Sequence, residues 1–282
     1  MNARLAFPSD ARWFQIAGQS AILVVGLYAF DFRIGLAQIL AAIFASLAAQ
    51  ALGTLLIAGR YDWRSALITG LSLCLLLRAN DVWPFVAAAL IGTGSKFALR
   101  RGGRHVFNPA NIGIVSMIAL SGAAWTSTGE WGSSPAFALL IATLGAIVCW
   151  RASRLDAALI YLGVYAGLVV GRALYLGDPL AIPVLRLSHG ALILFAFFMI
   201  SDPKTTPENG RERLIFVGLA ALIAYVMQFH FFISDGIFYA PFILALFRFI
   251  ALRPGPRSYE WGAAPAPLRF AFNRQRRVAP AE

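Results

Sequence analysis

Charge is what this sequence has least of. Asp, Glu, Lys and Arg together make up 13% of its 282 residues, about half the share found in a soluble domain. Cysteine is nearly absent as well. Cys74 and Cys149 both sit inside apolar runs, without the spacing of a metal site, so they read as small lipid-compatible residues and not as a disulfide or redox pair. The chain has three histidines. His189, beside Ser188, has no second histidine three or four residues away, and no metal site is expected. A nucleophile–base motif, a phosphate-binding loop and a dinucleotide fingerprint are all missing. No cleavable leader is expected either, because the polar start Met1–Arg12 runs directly into a long apolar segment.

What fills the space is apolar. Hydrophobic residues make up 59% of the chain and the mean hydropathy is +0.71. A bilayer asks for roughly 20 apolar residues per crossing helix. The pattern predicts an all-α integral membrane protein of about ten transmembrane helices, at 13–31, 34–58, 64–77, 82–99, 111–124, 135–150, 155–175, 187–200, 213–230 and 236–252. It divides into a cytoplasmic N-terminus, 1–12, a membrane domain, 13–252, and a basic, proline-containing tail, 253–282.

Ten crossings put both termini on one side. Of the 24 Lys and Arg residues, 20 fall on that side and only Arg33, Arg78, Arg172 and Arg186 on the other. Short loops rich in Lys and Arg stay in the cytoplasm. The expectation is a bacterial cytoplasmic membrane protein with both termini inside. The net charge of +11 is then a topology signal, and no nucleic-acid partner is needed to explain it. The tail would touch anionic lipid.

The third and eighth predicted spans are short and run into Arg78–Pro84 and Ser201–Pro207. Each is the third of five, so two similar halves would be inverted, and interrupted spans at matching places point to a site between halves. Three stretches carry polar residues that chemistry could use. The first runs from Lys96 through Gly102-Gly103-Arg104 to Asn108-Pro109-Ala110-Asn111-Ile112-Gly113. Asn108 followed by Pro109 is a helix start, whose free N–H groups suit an anion or a polar ring edge. The second is Ser201-Asp202-Pro203-Lys204-Thr205, continuing to Gly210-Arg211, with a carboxylate at the membrane edge that must pair or meet water. The third is Ser234-Asp235-Gly236 before the last span. Each also has a plain structural reading, as a loop, turn or helix cap.

Together these three motifs, in this order, resemble the NqrB/RnfD family of membrane flavoproteins, which serve the sodium-translocating NADH:quinone reductase and the Rnf electron-transport complex. The likeness covers roughly residues 64–255. It implies ten helices in two inverted five-helix halves, similar to urea transporters, and a role in passing electrons through the membrane with other electron-transport subunits or a flavoprotein as partners. It also implies a flavin, riboflavin or FMN, near the Asn-Pro-Ala helix start. The residues carried over are Lys96, Gly103, Arg104, Asn108, Pro109, Asn111, Asp202, Thr205, Arg211 and Asp235. The sequence departs from the family at the covalent flavin site. Where a threonine is expected after Ser121-Gly122-Ala123 stands Ala124, which has no hydroxyl to esterify. Thr126 and Thr128 have hydroxyls in a context that does not match, so any flavin is expected to be noncovalent. A small-solute pathway and an accessory membrane role, both without a redox cofactor, are the competing functions. No catalytic residue is expected in the chain itself.

Overall fold

The computed structural model describes residues 10–57, 59, 61–101, 104–126 and 134–251. Its first half contains α1 (Ala11–Ala29), α2 (Leu36–Leu56), α3 (Trp63–Leu76), α4 (Trp83–Ala98) and α5 (Pro109–Leu120). The second half contains α6 (Pro135–Arg151), α7 (Leu155–Leu176), α8 (Ala181–Leu187), α9 (Gly190–Phe198), α10 (Gly210–Phe229) and α11 (Gly236–Ala251). Four short strands lie between them: β1 (Leu77–Ala79), β2 (Arg100–Arg101), β3 (Arg104–His105) and β4 (Ala124–Thr126).

The helix starts follow from local chemistry. Side-chain oxygens of Asp10, Asp62, Asn108, Ser134 and Asn209 accept backbone N–H groups that have no partner in the first turn of α1, α3, α5, α6 and α10. Proline stands in the first turn of α4, α5 and α6, where its missing N–H costs nothing. Gly177 ends α7 with φ +74°, a left-handed angle that glycine adopts freely.

Helices α2, α7 and α10 are each long and apolar enough to cross a membrane. Helices α8 and α9 form a fourth such unit, bent by 47° at a short break. The single segment expected at 187–200 is thus the second part of a broken helix, whose first part, α8, lies ahead of it. β1 follows α3 in extended form and pairs antiparallel with β4, Leu77 opposite Thr126. β2 and β3 make a second small hairpin, Arg100 opposite His105.

The helices pack in a repeated pattern. In the first half α1 lies on α3, α2 on α3 and α4, and α4 on α5. In the second half α6 lies on α9, α7 on α9 and α10, and α10 on α11. Between halves α1 meets α6 and α5 meets α11. The α4–α5 approach depends on two glycines. A Cβ on Gly92 would stand 2.3 Å from the Pro109 carbonyl oxygen, and one on Gly113 would stand 2.4 Å from that of Ala88. The centre is α9, all nine of whose residues are buried; Tyr161 and Phe238 pack on its Phe195, and Tyr165 stacks on Tyr161.

Candidate functional site

The start of α5 and the loop after α9 converge. Asn108 Oδ1 accepts the Asn111 N–H at 3.1 Å, closing the helix cap. The same side chain's Nδ2 donates to Asp202 Oδ2 at 3.2 Å. Asp202 Oδ1 accepts the Lys204 N–H at 3.0 Å. Burial raises the Asp202 carboxyl above its ordinary value; the Lys204 N–H and ammonium, Asn108 and Thr205 offset only part of this.

A cavity of about 50 Å³ opens beside this pair, lined by Asn108, Pro109, Asp202, His105, Lys204 and Arg12 among others. Ser65 of α3 is also in its wall, and Lys96, buried in the last turn of α4, donates to Ser65 Oγ at 3.1 Å. Arg12 joins α1 to α3: its Nη1 lies 2.7 Å from Asp62 and its Nη2 2.6 Å from Asp10. Arg64 reaches Asp10 at 2.9 Å. Burial alone would raise the Asp10 carboxyl, but hydrogen bonds and charge from Arg12, with the charge of Arg64, leave it below its ordinary value.

The 201–209 loop is built to hold its shape. Thr206 Oγ1 donates to the Ile200 carbonyl at 2.6 Å and Ser201 Oγ to that of Phe197 at 2.5 Å. Arg213 Nη1 donates to the Pro207 and Glu208 carbonyls, both at 3.0 Å. Its other nitrogens grip Asp156 Oδ2 at 2.8 and 2.6 Å. Arg248 of α11 donates to the Thr205 carbonyl at 3.0 Å.

Asn108, Pro109 and Asp202 therefore share one cavity, with Lys96 one hydrogen bond away. The other expected residues are placed differently. Asn111 is 2% exposed and donates through Nδ2 to the Phe238 carbonyl at 2.9 Å, a link between α5 and α11. Thr205 lies in the loop with its carbonyl held by Arg248. Arg211 is exposed in the first turn of α10. Gly103 and Thr128 lie outside the described residues; Arg104 begins β3. Asp235 is at the other end of the bundle, where it accepts a hydrogen bond from Thr126 Oγ1. Thr126 is 9% exposed, and its hydroxyl is engaged by that carboxylate. Arg12, Ser65, His105, Asp156 and Arg213 were not among the expected site residues.

Comparison with known proteins bears on the same region. Residues 120–250 match the sequence model of the NQR2, RnfD, RnfE family. This segment takes in the 201–211 loop and Asp235 but not Asn108, and it is less than half of the chain. The D subunit of an ion-translocating oxidoreductase complex from Citrobacter koseri is 41% identical over 66 residues, 23% of this chain and 19% of that protein. Its namesake from an Escherichia coli strain is 39% identical over 67 residues, 24% of this chain and 19% of its own length. The chain thus matches about a fifth of the length of these curated relatives. With its apolar helices, the family match makes this a multi-pass membrane protein.

A flavin ring tests the cavity. The amide of Asn108, the Asp202 carboxylate and the α5 start are suitable partners for the polar edge of such a ring. Pockets that bury ligands of that size enclose about 300 Å³ or more, and the space here is about 50 Å³. The arrangement takes the polar edge and not the whole ring.

Proposed function

We propose that this chain is a membrane subunit of an electron-transport assembly, working with other subunits or a flavoprotein that supply its electrons. The observation that carries this reading is the match of residues 120–250 to the NQR2, RnfD, RnfE family, together with relatives named as D subunits of an ion-translocating oxidoreductase complex. Within it, the ten expected segments act as membrane crossings in two inverted halves. The packing supports this: α1, α2, α3, α4 and α5 meet one another much as α6, α7, α9, α10 and α11 do, and the cross-contacts α1 on α6 and α5 on α11 join equivalent helices. The Lys and Arg distribution supports cytoplasmic termini in the bacterial inner membrane.

The cofactor of this reading is a noncovalent flavin, riboflavin or FMN, with its polar edge at Asn108 and the α5 start. Bound flavin would supply one- and two-electron chemistry. The chain would supply orientation through Asn108 and the Asp202 loop that Arg213 and Arg248 hold. The engagement of Thr126 by Asp235, with Ala124 where the attachment threonine would stand, speaks for noncovalent binding. The small enclosed volume favours the competing reading, an accessory membrane protein without a redox cofactor.

The test is an absorbance and fluorescence spectrum of the detergent-purified protein before and after acid precipitation. Flavin released to the supernatant, and lost in Asn108→Ala, supports the reading. Flavin retained in the pellet refutes noncovalent binding. No flavin, from riboflavin-replete cells, moves the reading to the accessory role.

A further inference from the structure

A second and larger cavity, of about 360 Å³, lies at the opposite end of α9. Its polar wall comprises Tyr165 of α7, Arg186 of α8, His189 ahead of α9, Gln228 of α10 and Ser234. Gln228 is already committed: its Oε1 accepts from the Tyr165 hydroxyl, and its Nε2 donates to the Ser234 carbonyl at 2.8 Å. Arg186 also hydrogen-bonds the Tyr165 side chain; its remaining N–H groups, His189 and the Ser234 hydroxyl are left to meet a ligand, and no carboxylate is among the described residues that line the cavity. No side chain caps the start of α9, and Ala191 and Leu192 of its first turn are in the same wall. Donors without a facing acid select an anion with several acceptor oxygens.

The rest of the cavity is apolar. Leu192 and Ile237 form its floor and Phe232, 85% exposed, its edge. The helix that brings Arg186 presents Ile182 and Val184 outward, 53% and 60% exposed. Arg186 itself is stacked on Phe229, 4.7 Å from the ring centre, which fixes its guanidinium beside the opening. An anion-selecting wall with an apolar approach matches an amphiphile whose charged part is a phosphate.

We propose that this cavity binds the phosphate of an anionic amphiphile, with Arg186 and His189 as its chief partners. It is separate from the Asn108 site and does not depend on a flavin.

The test uses the full-length protein in detergent, read by native mass spectrometry against dioleoylphosphatidylglycerol, dioleoylphosphatidylcholine and inorganic phosphate. Arg186→Gln and His189→Gln are compared with Arg33→Gln, an exposed position that is not in the cavity lining. The expected result is preference for phosphatidylglycerol over phosphatidylcholine, with dissociation constants raised about tenfold by each cavity variant, the loss of one charge-assisted contact. Arg33→Gln should bind as the unaltered protein does, and all three should melt alike. Inorganic phosphate binding that Arg186→Gln abolishes, without lipid preference, identifies a soluble phosphate as the occupant of the same site. Binding of neither probe, or binding that both cavity variants leave unchanged, overturns the proposal.

Discussion

Asn108 donates to Asp202 across 94 residues of sequence, joining the first turn of α5 to the loop that follows α9. Because the amide is also the α5 cap, the contact ties a helix end in one half of the chain to a turn in the other.

Asp202 and Asp10 should respond to pH in opposite directions. The Asp202 carboxyl is raised by burial, so its ionised form is the costly one in the fold. That cost is absent below the ordinary carboxylate range and grows as pH rises through the folded value. Asp10 is lowered by Arg12 and Arg64, so its contribution is present above the ordinary range and lost as pH falls through its folded value. Melting temperatures between pH 3 and 7 should show Asp202→Asn removing a decline with rising pH and Asp10→Asn removing a rise. Unchanged slopes in both variants would place the pH response elsewhere.

Breaking the Arg213–Asp156 pair should be among the most damaging single changes. Both side chains are about nine-tenths buried, and removing one leaves the other's charge uncompensated, a cost of about 3–5 kcal/mol. Arg213→Gln should lower the melting temperature sharply, and Arg213→Gln with Asp156→Asn should recover part of the loss. A double variant as weak as the sum of the singles would mean the two side chains act apart.

The α4–α5 contact predicts a contrast between two glycines of similar setting. Gly113→Ala drives a methyl against the Ala88 carbonyl, an overpacking worth about 1–3 kcal/mol. Gly94→Ala on α4 meets nothing within 4 Å and should be neutral or stabilising by up to ~1 kcal/mol, from helix propensity. Thermal melts in detergent separate the two; equal effects would disprove the close approach.

Orientation can be read by thiol labelling in whole cells. Cys74 and Cys149 are buried and should stay silent. A cysteine in place of exposed Asp81 should react with a membrane-impermeant maleimide in intact cells, and one in place of exposed Arg211 only after permeabilisation. The reverse pattern would invert the topology.

Helix starts were legible where chemistry is local. Asn108 with Pro109 marks α5, and the helix begins there. Helix α8 was not legible, because its seven residues include Pro183 and Arg186, and His189 caps nothing with its side chain. Asn108 and Asp202 each stood out by residue type, but their hydrogen bond is a tertiary fact that no spacing encodes. The resemblance carries Asn111 over as a ligand residue, and in the structure its Nδ2 donates to the Phe238 carbonyl, a tertiary contact that residue type does not announce. Arg213 is one of the 20 Lys and Arg residues on the expected cytoplasmic side, and the structure buries it against Asp156. Its partner left a signal: Asp156 is the lone acid in the 155–175 segment, and such a residue in an apolar helix calls for a cation.

Helix α9 has a further consequence. Nine buried residues rise about 13 Å, with polar cavities at both ends. That is under half of the roughly 30 Å of hydrocarbon in a bilayer. In a membrane-crossing arrangement the polar groups at the two ends of α9 would lie within the hydrocarbon layer, where they must face protein and one another instead of lipid.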